Sequence, residues 1–250
     1  ASTVFTDREL TFSNALAPIL LASVILGAYM LLSGSNLEFL NLSSLHAFYR
    51  ARLVRSYLGA ANGARFDRSP LDGALEPMER WAHTAPVGSN VGEVHGDDDR
   101  FLKNYKPQRF GGPIHLINVC INQTADPKGA LFNQDRKGLS LTIASGGRSQ
   151  VSQEGWTVSS GLRERGLGTW MAVSGAAVSP GLGYRTSRGL SALLTFAGIR
   201  LGFWLTEAAR NGRAAGFLAL GKTWGLLRET FGIFDGARGK DWFLSDGGHF

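Results

Sequence analysis

A chain of 250 residues with 44% hydrophobic content is long enough for one sizeable domain plus an accessory segment, which excludes a disordered chain. The net charge of +6 favours an anionic partner, lipid headgroups or nucleic acid, without choosing between them. A single cysteine, Cys120, excludes a disulfide framework and a cysteine metal site, and its apolar surroundings from Ile117 to Ile121 make it a small buried hydrophobe.

No residue from Leu10 to Leu37 is charged, and Ala15 to Leu32 is almost unbroken apolar sequence, just enough to cross a bilayer as a helix. Asp7, Arg8 and Glu9 precede it in place of the basic n-region of a secretory signal, so the expectation is a transmembrane helix, with a buried core helix as the alternative. Arg50, Arg52, Arg55, Arg65 and Arg68 follow the span and only Arg8 precedes it, which places the C-terminal part on the cytoplasmic side. Ser44 to Gly59 reads as an amphipathic helix, with Leu45, Phe48, Tyr49, Leu53 and Tyr57 at helical spacing. Such a helix either lies on anionic headgroups or packs on the globular domain.

Asn62 to Arg109 is polar and rich in turn residues. Its acidic run, Asp97, Asp98 and Asp99, lacks the alternate ligands and closing Glu of a calcium loop, so it is expected to be a solvated loop. Three units result: residues 1–35 with the transmembrane helix, residues 36–110 with the amphipathic helix and polar linker, and an α/β domain over residues 111–250. Within the last, Pro113–Gln123, Gly138–Ser145, Trp170–Val178 and Asp241–Leu244 read as strands, and Ser187–Leu205 and Phe217–Phe231 as helices. That alternation predicts a largely parallel sheet covered on both faces.

Several motifs fail on their context. Gly216–Thr223 (GFLALGKT) satisfies the phosphate-loop pattern, but its polar approach and apolar variable positions suit a helix already under way, so no nucleotide is expected. Ser145–Ser149 (SGGRS) forms a plain turn or a backbone anion nest. No GxSxG occurs, and Pro180 behind Ser179 has no backbone N–H to offer an oxyanion, which makes Ser179 a poor nucleophile. His46, His83, His95, His115 and His249 show no metal-binding spacing, so no metal is expected. No basic-aromatic pattern points to nucleic acid. Asp246, by contrast, ends an apolar strand, where open α/β sheets keep their chemistry, and Gly247 and Gly248 let the chain turn sharply behind it. His249 lies three residues further on.

HLINVCINQ (His115–Gln123), DRKGLSLT (Asp135–Thr142), VSGAAVSPGLGY (Val173–Tyr184), IRLGFWL (Ile199–Leu205) and LSDGGHF (Leu244–Phe250) together resemble the C-terminal half of bacterial membrane-associated patatin-like phospholipases. The resemblance covers roughly Leu45 to Phe250, and its last three blocks are the most specific. It implies an α/β fold, the C-terminal half of a patatin-like sheet-and-helix domain behind a transmembrane helix, seated at a bacterial inner membrane with the C-terminal domain cytoplasmic. Asp246 would then be the general-base partner of a GxSxG serine, with membrane lipid as substrate and no cofactor. Ser174, Gly175, Ala176 and Ala177 would form the family's Ser-Ala-Ala block, and Gly247, Gly248 and His249 would support the site. An aspartate can activate a serine toward an ester carbonyl without histidine if a loop holds it within hydrogen-bond reach.

In that family the serine and the glycine-rich oxyanion loop lie N-terminal to the part present here. The expectation is therefore a portion of a longer protein, a processed chain, or a chain whose nucleophile comes from a second polypeptide. The alternative is a non-catalytic membrane subunit or docking piece derived from a hydrolase.

Overall fold

The computed structural model describes residues 12–33, 37–60, 62, 96–125, 137–206, 210–211 and 221–249. Helix α1 (Phe12–Ser33) carries Pro18 near its start, and Ser23 Oγ donates back to Ile19 O at 2.8 Å. Ile19, Leu20, Leu21, Val24, Ile25 and Leu26 point to all sides of this helix and all are exposed. Among the described residues, no helix is long and apolar enough to cross a membrane. The transmembrane helix expected over Ala15–Leu32 is thus not found as such; a helix with an uncovered apolar surface stands in its place.

Two shorter helices follow, α2 (Phe39–Leu42) and α3 (Leu45–Leu53), the latter continuing as a wider π-helical turn over Val54–Gly59. Helix formation over Ser44–Gly59 agrees with the sequence, but the buried face differs from the expected one. His46 and Val54 are buried, whereas Leu45, Phe48 and Tyr57 are exposed.

Among the described residues, six strands form one sheet in the order β4-β3-β2-β1-β6-β5: β1 (Leu116–Asn122), β2 (Gly138–Ala144), β3 (Arg148–Val151), β4 (Thr157–Val158), β5 (Phe203–Leu205) and β6 (Trp242–Asp246). Every neighbouring pair is antiparallel, so the mixed helix-and-sheet fold does not have the largely parallel sheet expected. Among the described residues, α4 (Ser160–Arg163), α5 (Leu167–Ser174) and α6 (Arg188–Phe196) lie between β4 and β5, and α7 (Gly221–Phe231) between β5 and β6.

Two misread segments explain the difference. Trp170–Val178 was expected as a strand, but Trp170 to Ser174 belong to helix α5, most of whose residues are buried. An element apolar all round has no period to reveal, and a short run of this kind is equally compatible with either state. Ser187–Leu205 is not one helix. Ser187 Oγ accepts Leu190 N–H to start α6, Gly198 at φ +71° follows its end, and the chain then enters edge strand β5.

The sheet divides the core. On one face Val119 and Ile121 of β1, Leu141 and Ile143 of β2 and Leu244 of β6 pack with Trp170 of α5. On the other, Trp204 and Phe243 pack with Phe234, Leu37 and Leu40. Burial of such side chains stabilises by roughly 1.5–3 kcal/mol each. α3 packs on α5, and a Cβ at Gly168 would collide with Val54 Cγ2 of the π-helical turn that continues α3.

Asp97–Asp99 is not a solvated loop throughout. Asp98 is buried and accepts Asn62 Nδ2–H at 3.1 Å; Asp99 pairs with Arg50 at 2.7 Å and accepts Gly168 N–H at 2.9 Å. The second of these bonds gives the first turn of α5 the acceptor its own N-cap, Gly166, lacks.

Candidate functional site

Strand β6 delivers Asp246 to the end of the sheet. Trp242 to Ser245 are buried, Asp246 is half-buried, and it sits opposite Val119 of β1. Its Oδ1 accepts Gly248 N–H at 2.6 Å across a single 3-10 turn, Gly247–His249. Neither Gly247 nor Gly248 has a positive φ, so a sharp left-handed turn is not their reason. Space is: a Cβ at Gly247 would overlap Asn118 O, and one at Gly248 would lie 3.1 Å from Asp246 Oδ1.

Ser174 ends α5, is itself accessible, and donates its hydroxyl to Asn118 O at 2.8 Å. Gly175 stops the helix, and a Cβ there would come to 2.7 Å from Tyr49 Oη. Ser174 and Asp246 therefore meet the same step of β1, Asn118–Val119, from a helix and from the neighbouring strand.

His249 bonds Ser245 Oγ through Nδ1 at 3.0 Å, and its ring also meets the Ala177 carbonyl. Burial lowers its pKa; Asp246 opposes that shift and Arg185 adds to it. Ser245 and His249 form a serine-imidazole pair at nucleophile-base distance, but Ser245 is fully buried and its hydroxyl is closed to an ester.

The residue that organises this end of the sheet is Asn122, for which the sequence reading assigned no role. Fully buried at the end of β1, it donates through Nδ2 to Ser245 Oγ at 2.9 Å and Phe243 O at 3.3 Å, and accepts Gly183 N–H on Oδ1 at 2.8 Å. The only hint in the sequence is an amide closing an apolar strand. Gly183 is equally constrained: φ is +56° and a Cβ would overlap His249 O. Next to it, exposed Arg185 donates through Nε to Tyr184 Oη at 2.7 Å.

Other sequence candidates fall elsewhere. Ser179 is buried, with its hydroxyl donated to Gly181 O. Ser145–Gly147 is the β2–β3 turn and Arg148 and Ser149 open β3; Ser145 N–H goes to His115 O and Gly147 N–H to Ala144 O, as in a plain turn. Cys120 is buried as expected, its thiol pushed up to about 12 by burial. Gly216 to Leu220 of the phosphate-loop pattern lie outside the described residues, as do His83 and His95. Lys222, in the first turn of α7, lies 5.3 Å and 5.1 Å from the ring centroids of Tyr29 and Phe39. Among the described residues no group of His, Cys, Asp and Glu could hold a metal ion.

No family model, curated protein or solved structure matches this chain. What the site offers chemically is then read from its own geometry. A half-exposed carboxylate is held on one oxygen by a backbone N–H. Such a group can accept a proton from a hydroxyl brought to its exposed side.

Proposed function

We propose that this chain is part of a membrane-anchored lipid acyl hydrolase of the patatin-like phospholipase type, with Asp246 as the carboxylate of a Ser-Asp unit whose serine lies outside the sequence given. The observation that carries the reading is Asp246 itself, a half-exposed carboxylate fixed by Gly248 N–H at the end of a strand whose preceding residues are buried. In this mechanism the serine hydroxyl attacks the acyl carbonyl as Asp246 takes its proton, the alcohol departs, and water releases the fatty acid from the acyl-serine. Asn122, Gly183 and Gly247 position the turn that holds the carboxylate. No cofactor enters. The uncovered apolar surface of α1, and the arginine excess behind it, support an anchor at a bacterial inner membrane with the sheet on the cytoplasmic side.

The test is Asp246→Asn in the complete protein, which keeps size and hydrogen-bond reach but cannot take the proton. Acyl-ester turnover is expected to fall by about two to four orders of magnitude while the melting temperature holds. Unchanged turnover ends the assignment of Asp246. Absence of turnover in the complete wild-type protein moves the conclusion to a non-catalytic docking subunit.

A further inference from the structure

Helices α2, α3, α6 and α7 are built inside out. In α6 the buried side chains are Ser191, Leu194 and Thr195, while Leu190, Leu193 and Phe196 are exposed, Phe196 at 82%. In α7 Arg228 and Glu229 are buried, and Trp224, Leu227 and Phe231, at i, i+3 and i+7, are exposed, Trp224 at 62%. α2 buries Asn41 together with Leu40 and exposes Phe39 and Leu42; α3 buries His46 and exposes Leu45 and Phe48. A water-facing helix has the opposite pattern.

Apart from Nε2 of His46, which has no partner among the described residues, these buried polar groups are bonded inside. Ser191 Oγ donates to Pro180 O at 2.6 Å, Arg228 pairs with Asp235, and Asn41 exchanges bonds with the backbone of Trp204 at 2.8 and 2.7 Å. Glu229 is paired with Arg200 and accepts the indole N–H of Trp204 at 2.6 Å. The inversion is therefore held by polar side chains that, His46 Nε2 apart, find partners in the interior.

The helices that carry these exposed side chains adjoin one another, since α6 packs on α7, α7 on α2 and α2 on α3. They also adjoin α1, because Lys222 of α7 lies over both Tyr29 and Phe39. The charges left on these four helices have one sign. Their only carboxylate, Glu229, is buried, whereas Arg52 and Arg188 are exposed, Arg52 stacked over Phe48 at 5.2 Å. Apolar side chains with an indole among them and cations at their edge fit the boundary between acyl chains and anionic headgroups.

We infer that α2, α3, α6 and α7 form a monolayer-inserting face, which seats this chain in one leaflet of an anionic bilayer beside α1. The inference shares the membrane placement proposed above, is independent of the chemistry at Asp246, and needs no helix to cross the bilayer. Such a seat would present the sheet to lipids drawn from the leaflet it rests on.

The experiment uses the whole chain reconstituted with phosphatidylglycerol–phosphatidylcholine vesicles whose acyl chains carry bromine. The intrinsic fluorescence of wild type is compared with that of Trp224→Phe. Expected is a Trp224 contribution, obtained as the difference, that is blue-shifted and quenched by bromine. The pair Leu193→Glu with Phe196→Glu, both at exposed positions that spare the core, is expected to weaken that quenching about tenfold or more in lipid concentration. Unquenched Trp224 in a chain that still floats with the vesicles overturns the face while leaving an α1 anchor in place. A dimer that shields Trp224 from bromine overturns it in favour of a second copy. Ester turnover does not enter this readout, so failure of the face and failure of the Asp246 assignment are separate results.

Discussion

Gly183 is the residue whose backbone leaves least choice. Its φ of +56° disfavours any side chain, and the His249 carbonyl occupies the place a Cβ would take. Gly183→Ala is expected to destabilise by about 2 kcal/mol or more, read as a lowered urea midpoint with an unchanged slope, because it pushes the 3-10 turn behind Asp246 off the sheet. His46 sets a pH dependence of its own. Its Nδ1 bonds Leu201 O at 3.0 Å, its Nε2 is buried without a partner, and burial lowers its pKa from 6.5 to about 4, with Arg50 and Arg165 adding to the shift. The folded state therefore holds the ring neutral, whereas the unfolded chain takes the proton near pH 6.5. Its contribution to stability is complete above that pH and is lost as pH falls from about 6.5 toward 4, on the order of 3 kcal/mol in all. Urea unfolding from pH 7 to pH 4 is expected to show this slope in wild type and to lose it in His46→Gln, whose amide can still donate to Leu201 O.

At the scale of elements, α5 owes its start to a distant acid. Gly168 N–H lies in the first turn, and Asp99, from the segment before the sheet, supplies the acceptor while pairing with Arg50 of α3. Asp99→Ala is expected to cost about 1–2 kcal/mol, since a helix cap and a partly exposed ion pair are lost together. Asp97→Ala, at the exposed start of the same run, is expected to leave the melting temperature within the scatter of surface changes. Paired calorimetry on the two variants checks this, and equal shifts would show that the acidic run acts only through its total charge. The same long-range bond explains why α5 was not legible: nothing within Trp170–Val178 announces a helix whose cap comes from residue 99. Strands β1, β2 and β6 were legible because each is a bounded apolar run whose neighbours are turn residues.

For the molecule as a whole, the membrane placement proposed above has positive charge and exposed apolar surface act on the same partner. With a net charge of +6 and no exposed carboxylate on α2, α3, α6 or α7, binding to anionic vesicles is expected to weaken as salt rises from about 0.05 to 0.5 M, while binding to zwitterionic vesicles stays nearly flat. Vesicle flotation across that range is the measurement. Binding to both lipids that ignores salt would assign the attraction to apolar burial alone.

Local pattern alone determined that Cys120 is buried, that β1, β2 and β6 are strands, that α7 is a helix and that Asp246 stands at a strand's end, because each depends on residues adjacent in the chain. Tertiary structure decided what depends on distant partners. The pairing of β1 with β2 and β6 made the sheet antiparallel, Asn122 reached Gly183 and Ser245 only once the strands were assembled, and Asp98 and Asp99 turned inward to meet Asn62, Arg50 and Gly168. Spacing shows that a helix has an apolar stripe; only the packed fold, where polar side chains find partners inside, decides whether that stripe faces the core.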